Sequence, residues 1–346
     1  MDYPYVPVVR AASLAGYVDL AQSLGLDARA LLRRAGLAQR ALEDPETPLS
    51  AAAVRALLED SAQASGIEDF GLRMAARRQL SSLGPISLVL KDEPTARAAL
   101  DTLCRYLRLL NASLLTKVED HAPLVIIREE ILVEQLASTR QSMELAVGVM
   151  FRILHELLGP PWKPVRVCFK HRPPGDTHAH KAFFGAAVDF NSEFNGIVCN
   201  AADLQTQLPG NNPEMARFAR QYLDRALSGR NQSTKATVQQ LIAALLPGGR
   251  CTSQQVAQHL GVDRRTIHRH LARDGESFAT LLQSVRSELV LRQVKDSDLP
   301  LSEVAQLLGF AAPAAFSHWF RSTFGCSVTA WRTQERAKAA VLQGQP

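Results

Sequence analysis

No apolar run in the 346-residue chain approaches the ~20 residues that a membrane span requires; runs such as 86–90 and 123–127 are strand-sized. The first ten residues carry Asp2, two prolines and Arg10 and so lack the apolar stretch of a secretion signal. A cytoplasmic address without membrane partners is the expectation. Cysteine is scarce and scattered at positions 104, 168, 199, 251 and 326, an odd number with no C-x-x-C pair. That argues against a disulfide framework and offers neither zinc nor thiol redox chemistry. Cys168, His171, His178 and His180 match no common metal spacing, and no metal or cofactor is expected. Also missing are a Gly-rich phosphate loop, a G-x-S-x-G nucleophile turn and a His-Glu-x-x-His pair, which argues against the enzyme classes built on those motifs.

What is present is an ordinary globular composition, 46% hydrophobic and 21% charged, in a chain long enough for two cores. The net charge of +5 is unevenly placed. Residues 230–346 hold 14 Lys/Arg against 8 Asp/Glu, a net of +6, and the remainder is close to neutral. A basic segment attached to a neutral one is the charge layout of a nucleic-acid-binding module joined to something else.

Apolar periodicity divides the chain the same way. The first hundred residues read as short helices, with Leu14, Val18, Ala21 and Leu24 on one face and a longer alanine-rich helix after Ser50. Residues 112–118 and 124–128 read as a hairpin. The stretch 137–158 is an amphipathic helix with Met143, Val147, Met150, Phe151, Leu154 and Leu158 on its buried side. Short strands are expected at 165–170, 188–190 and 196–199, and a helix at 177–184. The expected fold class is multidomain α+β: an N-terminal α+β domain with a small sheet over 1–211, a connecting helix and linker over 212–232, and an all-α domain over 233–346. Met215–Leu227 carries an apolar stripe that suits either its own domain or a twin in a homodimer.

The last third contains a repeat. Val256-Ala257-Gln258-His259-Leu260-Gly261 recurs as Val304-Ala305-Gln306-Leu307-Leu308-Gly309. Each copy is a short helix stopped by a glycine, and each is followed by a helix with a buried pair four apart, Ile267/Leu271 and Phe316/Phe320. Asp263 is placed to cap the first of these second helices. Helix, tight turn and second helix is the helix-turn-helix arrangement, here over 252–273 and 301–324, whose second helix enters the major groove. Two copies on one chain can address successive major-groove faces roughly 10 bp apart.

Residues 250–338 resemble the DNA-binding domain of the AraC family of regulators. The resemblance is carried by Leu271-Ala272-Arg273-Asp274-Gly275-Glu276-Ser277-Phe278 with Arg286, and by Leu301-Ser302-Glu303-Val304-Ala305, Leu308-Gly309-Phe310, Phe316-Ser317-His318-Trp319-Phe320-Arg321, Gly325-Cys326-Ser327 and Trp331-Arg332. Val328 and Trp331 depart from it, standing where the family usually has Pro and Tyr or Phe. Residues 5–215 resemble the arabinose-binding-like sensor domain of one subgroup, through Leu31–Leu37, Phe70–Arg73, Phe169–Pro174 and Phe183–Phe190. Members of that subgroup answer to varied effectors, so the label does not imply arabinose.

The resemblance implies a transcriptional regulator and not an enzyme, most often an activator, with promoter or operator DNA, a small-molecule effector, RNA polymerase and a second copy as partners. An effector-independent regulator, whose N-terminal domain only dimerises or binds a protein, is the alternative. On the first recognition helix Arg264, Arg265, Thr266, His268, Arg269 and Arg273 are the exposed polar positions. Arg265, His268 and Arg269 match the family's base-reading positions, and Arg264 and Arg273 suit phosphates. The second offers Ala314, Ser317, His318 and Arg321, fewer hydrogen-bonding groups, so shape and backbone contact are expected there, with Trp319 in the core. In the sensor domain Arg128, Arg152, His155 and His171 are candidates for holding an effector carboxylate.

Overall fold

A computed structural model describes residues 7–131, 138–210, 212–229, 234–246, 251–260, 262–296, 300–310 and 312–333. The chain forms two compact units, Met1–Arg230 and Asn231–Pro346.

The first unit opens with β1 (Val8–Arg10), followed by α1 (Tyr17–Ser23), α2 (Ala28–Arg34), β2 (Pro48–Ser50), α3 (Ala51–Ser65) and α4 (Phe70–Ala76). β1 and β2 pair antiparallel. Helix starts are written locally: Asp27 accepts from the Ala30 amide and Ser50 from the Ala53 amide, each meeting a donor that a helix N-terminus leaves free. Tyr17, Leu57, Leu58 and Phe70 fill the core of this part. Next come α5 (Pro85–Leu90) and α6 (Ala96–Leu110), with Thr95 capping α6 through the Ala98 amide. The apolar run 86–90, strand-sized by sequence, is a helix: Pro85 at its first turn presets a helical φ, and α5 packs on both α6 and α9 (Pro213–Gly229).

The sheet follows as β3 (Leu114–His121), β4 (Leu124–Ile131), β5 (Arg166–Cys168), β6 (Ala187–Asp189) and β7 (Asn195–Asn200), in the spatial order β3-β4-β7-β5-β6. All neighbours are antiparallel except β5 and β6. α7 (Arg140–Leu158) lies between β4 and β5 in sequence, and α8 (His178–Phe184) between β5 and β6. The expected stripe on α7 is buried at Met143, Val147, Met150, Phe151 and Leu154, against a core that includes Ile127 and Ile197. Two glycines bring α4 and α7 together: a Cβ on Gly71 would lie 2.0 Å from the Gln141 carbonyl oxygen, and one on Gly148 2.5 Å from the Ala75 Cβ. α9 buries Ala216, Ala219, Leu223 and Leu227 while Met215, Phe218 and Tyr222 stay exposed.

The second unit is helical: α10 (Thr234–Leu245), α11 (Ser253–Leu260), α12 (Arg264–Arg273), α13 (Phe278–Asp296), α14 (Leu301–Leu307) and α15 (Pro313–Phe324). α10 packs on α11, α12 and α13. Val290, Val304, Leu308, Phe316, Phe320 and Val328 make a separate core around α14 and α15. Gly309 takes φ +70° at the turn between those two helices, a conformation that L side chains rarely adopt. Its counterpart Gly261 lies outside the described residues.

Candidate nucleic-acid interface

α12 is anchored from one side and open on the other. Ile267 and Leu271, four residues apart, are buried, while Arg264, Arg265, His268, Arg269 and Arg273 are exposed and Thr266 is half-buried. Helical geometry places Arg265, His268 and Arg269 within an arc of about 100°, with Arg269 directly opposite the buried pair and His268 nearest to it. The helix carries four arginines and no acid. Asp263 caps it, accepting from the Arg265 amide at 2.6 Å. The positive helix N-terminus and the exposed guanidinium groups therefore add their fields on one surface, the arrangement that attracts phosphate.

α15 repeats the geometry with different chemistry. Phe316 and Phe320 are buried, and Ala314, Ser317, His318 and Arg321 are exposed. Its single arginine leaves it far less positive than α12. Trp319 is half-buried among Phe310, Phe316, Phe320 and Phe324 and donates through Nε1 to Gln283 Oε1 of α13 at 2.5 Å. Arg286 ties α13 to the turn of the second copy. Its Nε donates to the Leu308 carbonyl at 3.1 Å, and its guanidinium lies 4.4 Å from the Phe310 ring centre. Burial lowers the Arg286 pKa, a sign that this guanidinium has exchanged water for structure.

In the first unit the four candidate effector residues have separate surroundings. Arg128 of β4 bonds Glu119 Oε2 at 3.3 Å and covers the Phe194 ring at 4.7 Å. Arg152 Nε donates to the Arg78 carbonyl at 3.2 Å, and His155 rests against Phe151 with ring centres 5.5 Å apart. His171 meets a polar interior: its Nε2 is 3.3 Å from Oε1 of the buried Glu144, which His180 Nε2 approaches to 3.2 Å. Glu144 was not among the candidates. An acid beside Met143 on the buried stripe of α7 was the signal that it points inward. Glu129 was passed over as well. It is fully buried beside Thr116, and burial pushes its pKa up to about 8. Among the described residues no group of three or more His, Cys, Asp or Glu is placed to hold a metal ion, and no helix is long and apolar enough to cross a membrane.

Residues 25–208 match the model of the N-terminal arabinose-binding domain of AraC transcription regulator, and residues 256–334 match a helix-turn-helix domain. The chain belongs to the AraC family of transcriptional regulators. It is 27% identical to the HTH-type transcriptional regulator VirS of Mycobacterium tuberculosis, over 94% of this chain and 96% of that one. It is also 27% identical to the ornithine utilization regulator of Pseudomonas aeruginosa, over 92% and 94%. A crystal structure of the transcriptional regulator CdpR from Pseudomonas aeruginosa covers 91% of the chain at 18% identity, with a TM-score of 0.42. As a member of the AraC family, the chain is a DNA-binding transcriptional regulator and not an enzyme.

Proposed function

We propose that this AraC-family regulator activates transcription in response to a small molecule bound by its first unit, and that α12 is its principal base-reading helix. The observation that carries the reading is the capped, acid-free α12, held by Ile267 and Leu271 with its arginines outward. Arg265 and Arg269 are suited to guanine O6/N7 edges, each good bidentate pair giving about 1–3 kcal/mol of discrimination, with His268 between them. Arg264 and Arg273 flank that arc and fit phosphates, with Thr266 at its margin. α15 offers Ala314 for a thymine methyl and Ser317, His318 and Arg321 for backbone, so this half reads shape more than base edges. The 19 residues of α13 span about 28 Å, a fit to recognition helices in successive major grooves, whose spacing is about 34 Å.

The match of residues 25–208 to a sensor-type domain supports effector binding in the first unit. The exposed Met215, Phe218 and Tyr222 on α9 support a homodimer built on that helix, and contact with RNA polymerase follows from activation. Footprinting and run-off transcription on DNA upstream of the coding sequence test the reading. It expects protection of two major-groove faces about one turn apart and transcript that rises with a ligand. Protection that ignores every compound tried, with transcript unchanged, would refute the effector-responsive part; transcript that falls on binding would refute activation.

A further inference from the structure

Between α7, α8 and the loop after β5, the first unit holds a buried polar cluster with unmet hydrogen-bonding groups. Glu144 and His180 are fully buried. Arg140 Nε donates to Glu144 Oε1 at 3.3 Å, and the Nε2 atoms of His171 and His180 lie 3.3 and 3.2 Å from the same oxygen. The other oxygen, Oε2, has no donor, and Arg140 Nη2 has no acceptor, among the described residues. Both ring nitrogens of His180 are likewise without a hydrogen-bond partner among the described residues, and so is Nε2 of His171. The His171 Nδ1 lies 2.9 Å from the Arg172 carbonyl, which can only accept, so Nδ1 carries the hydrogen and Nε2 of the neutral ring is an acceptor. Burial, the largest influence, holds the His171 pKa below its ordinary value, which keeps the ring neutral at pH 7.

Two acceptors, Glu144 Oε2 and His171 Nε2, and a donor on a cation, Arg140 Nη2, are therefore gathered between the first turns of α7 and the loop after β5, each costly to leave unmet. We propose that this cluster is an effector site for a small zwitterion of the amino-acid type, whose ammonium donates to Glu144 Oε2 and His171 Nε2 and whose carboxylate accepts from Arg140 Nη2. This rests on the reading that the first unit senses a small molecule, and names the chemical class of that molecule. Phe169 and Phe190 stack at 5.8 Å, and both rings lie within 6.2 Å of the His171 and His180 rings. Glu68 closes the cluster, bonding Arg140 Nη1 at 3.2 Å and the Gly175 amide of the same loop at 2.6 Å. Entry requires that loop to swing away, because Glu144 and His180 have no exposed surface. Glu129, also a buried acid, is unsuited to hold an ammonium: its raised pKa makes it mostly a neutral acid at pH 7.

The test is the thermal midpoint of the full-length protein at neutral pH with the twenty standard amino acids, with propylamine and butylamine, and with propionate and butyrate. At least one amino acid is expected to raise the midpoint by several degrees, with the amine-only and carboxylate-only probes giving much smaller shifts. Glu144→Gln and, independently, the partly exposed Arg140→Gln are expected to weaken that ligand at least tenfold by calorimetry. Using both variants keeps the test valid if one fails to fold. No shift from any amino acid overturns the proposal, as does a shift that both variants retain. A stabilising ligand of another class, found in a broader metabolite panel, overturns the proposal while leaving the sensor reading intact. Absence of any compound that moves either the midpoint or the affinity for DNA refutes both.

Discussion

Removing the cap on α12 perturbs the recognition surface without touching an arginine. Asp263 accepts from the Arg265 amide at 2.6 Å, and its own carbonyl receives the Thr266 amide at 2.9 Å. Replacement by Ala deletes the side-chain acceptor, which costs about 1 kcal/mol, or roughly a fivefold change in the local opening equilibrium. Asp263→Asn keeps the acceptor and removes only the charge, whose attraction to the helix N-terminus contributes about 0.5 kcal/mol, or roughly twofold. Hydrogen exchange at the amides of Arg265, Thr266 and Ile267 reads both. Exchange is expected to quicken about fivefold in Asp263→Ala and about twofold in Asp263→Asn. DNA binding separates the variants again. The Asn protein loses a negative charge beside Arg264 and Arg265 and is expected to bind nonspecific duplex at least as tightly as wild type, whereas the Ala protein loses order in the helix that reads sequence. Exchange in Asp263→Ala within about 1.5-fold of wild type would refute the cap as an organising feature of this surface.

Gly71→Ala drives a methyl into the Gln141 carbonyl and disrupts the 2.8 Å bond from the Gly71 amide to Gln141 Oε1. Overpacking and an unmet buried amide together cost about 3 kcal/mol, so the melting midpoint of the first unit should fall by roughly 6–12 °C in calorimetry. Arg286→Met removes the bond to Leu308 and the cation over Phe310, and should lower the stability of the second unit by about 2 kcal/mol in urea melts followed by Trp319 and Trp331 fluorescence. Glu129 gives a pH signature. Its folded pKa of about 8 lies above the ordinary value of 4.5, so the folded state retains a proton that the unfolded chain releases, and stability falls as pH rises from about 4.5 to about 8. Glu129→Gln should flatten that slope and raise the midpoint at pH 8; an unchanged pH profile would refute the assignment.

The second unit was the more legible in sequence because its signals are local. The cap at Asp263, the buried pairs Ile267/Leu271 and Phe316/Phe320, and the glycine at 309 all act within a few residues of themselves. Exposure of Arg264, Arg265, His268 and Arg269 followed directly from the helical period. The first unit depends on contacts between distant segments. The apolar run 86–90 fits strand and helix equally by pattern, and its helical state comes from Pro85 and from packing on α6 and α9. The cluster around Glu144 draws on positions 68, 140, 171 and 180, and no spacing in the sequence relates them. His171 was legible as a polar residue of interest, whereas its carboxylate neighbour, and the ligand chemistry that follows from it, required the fold.

The most direct test of the DNA-reading claim is binding of the full-length protein to its own upstream DNA across a salt series, wild type against Arg269→Ala. A base-reading Arg269 predicts that the variant loses about 1–3 kcal/mol of preference for the specific site while nonspecific affinity and the salt slope stay close to wild type. Equal weakening on specific and random DNA, with a salt slope shallower by about one counterion, would make Arg269 a phosphate contact. Identical binding by the two proteins would contradict the assignment of α12 as the base-reading helix.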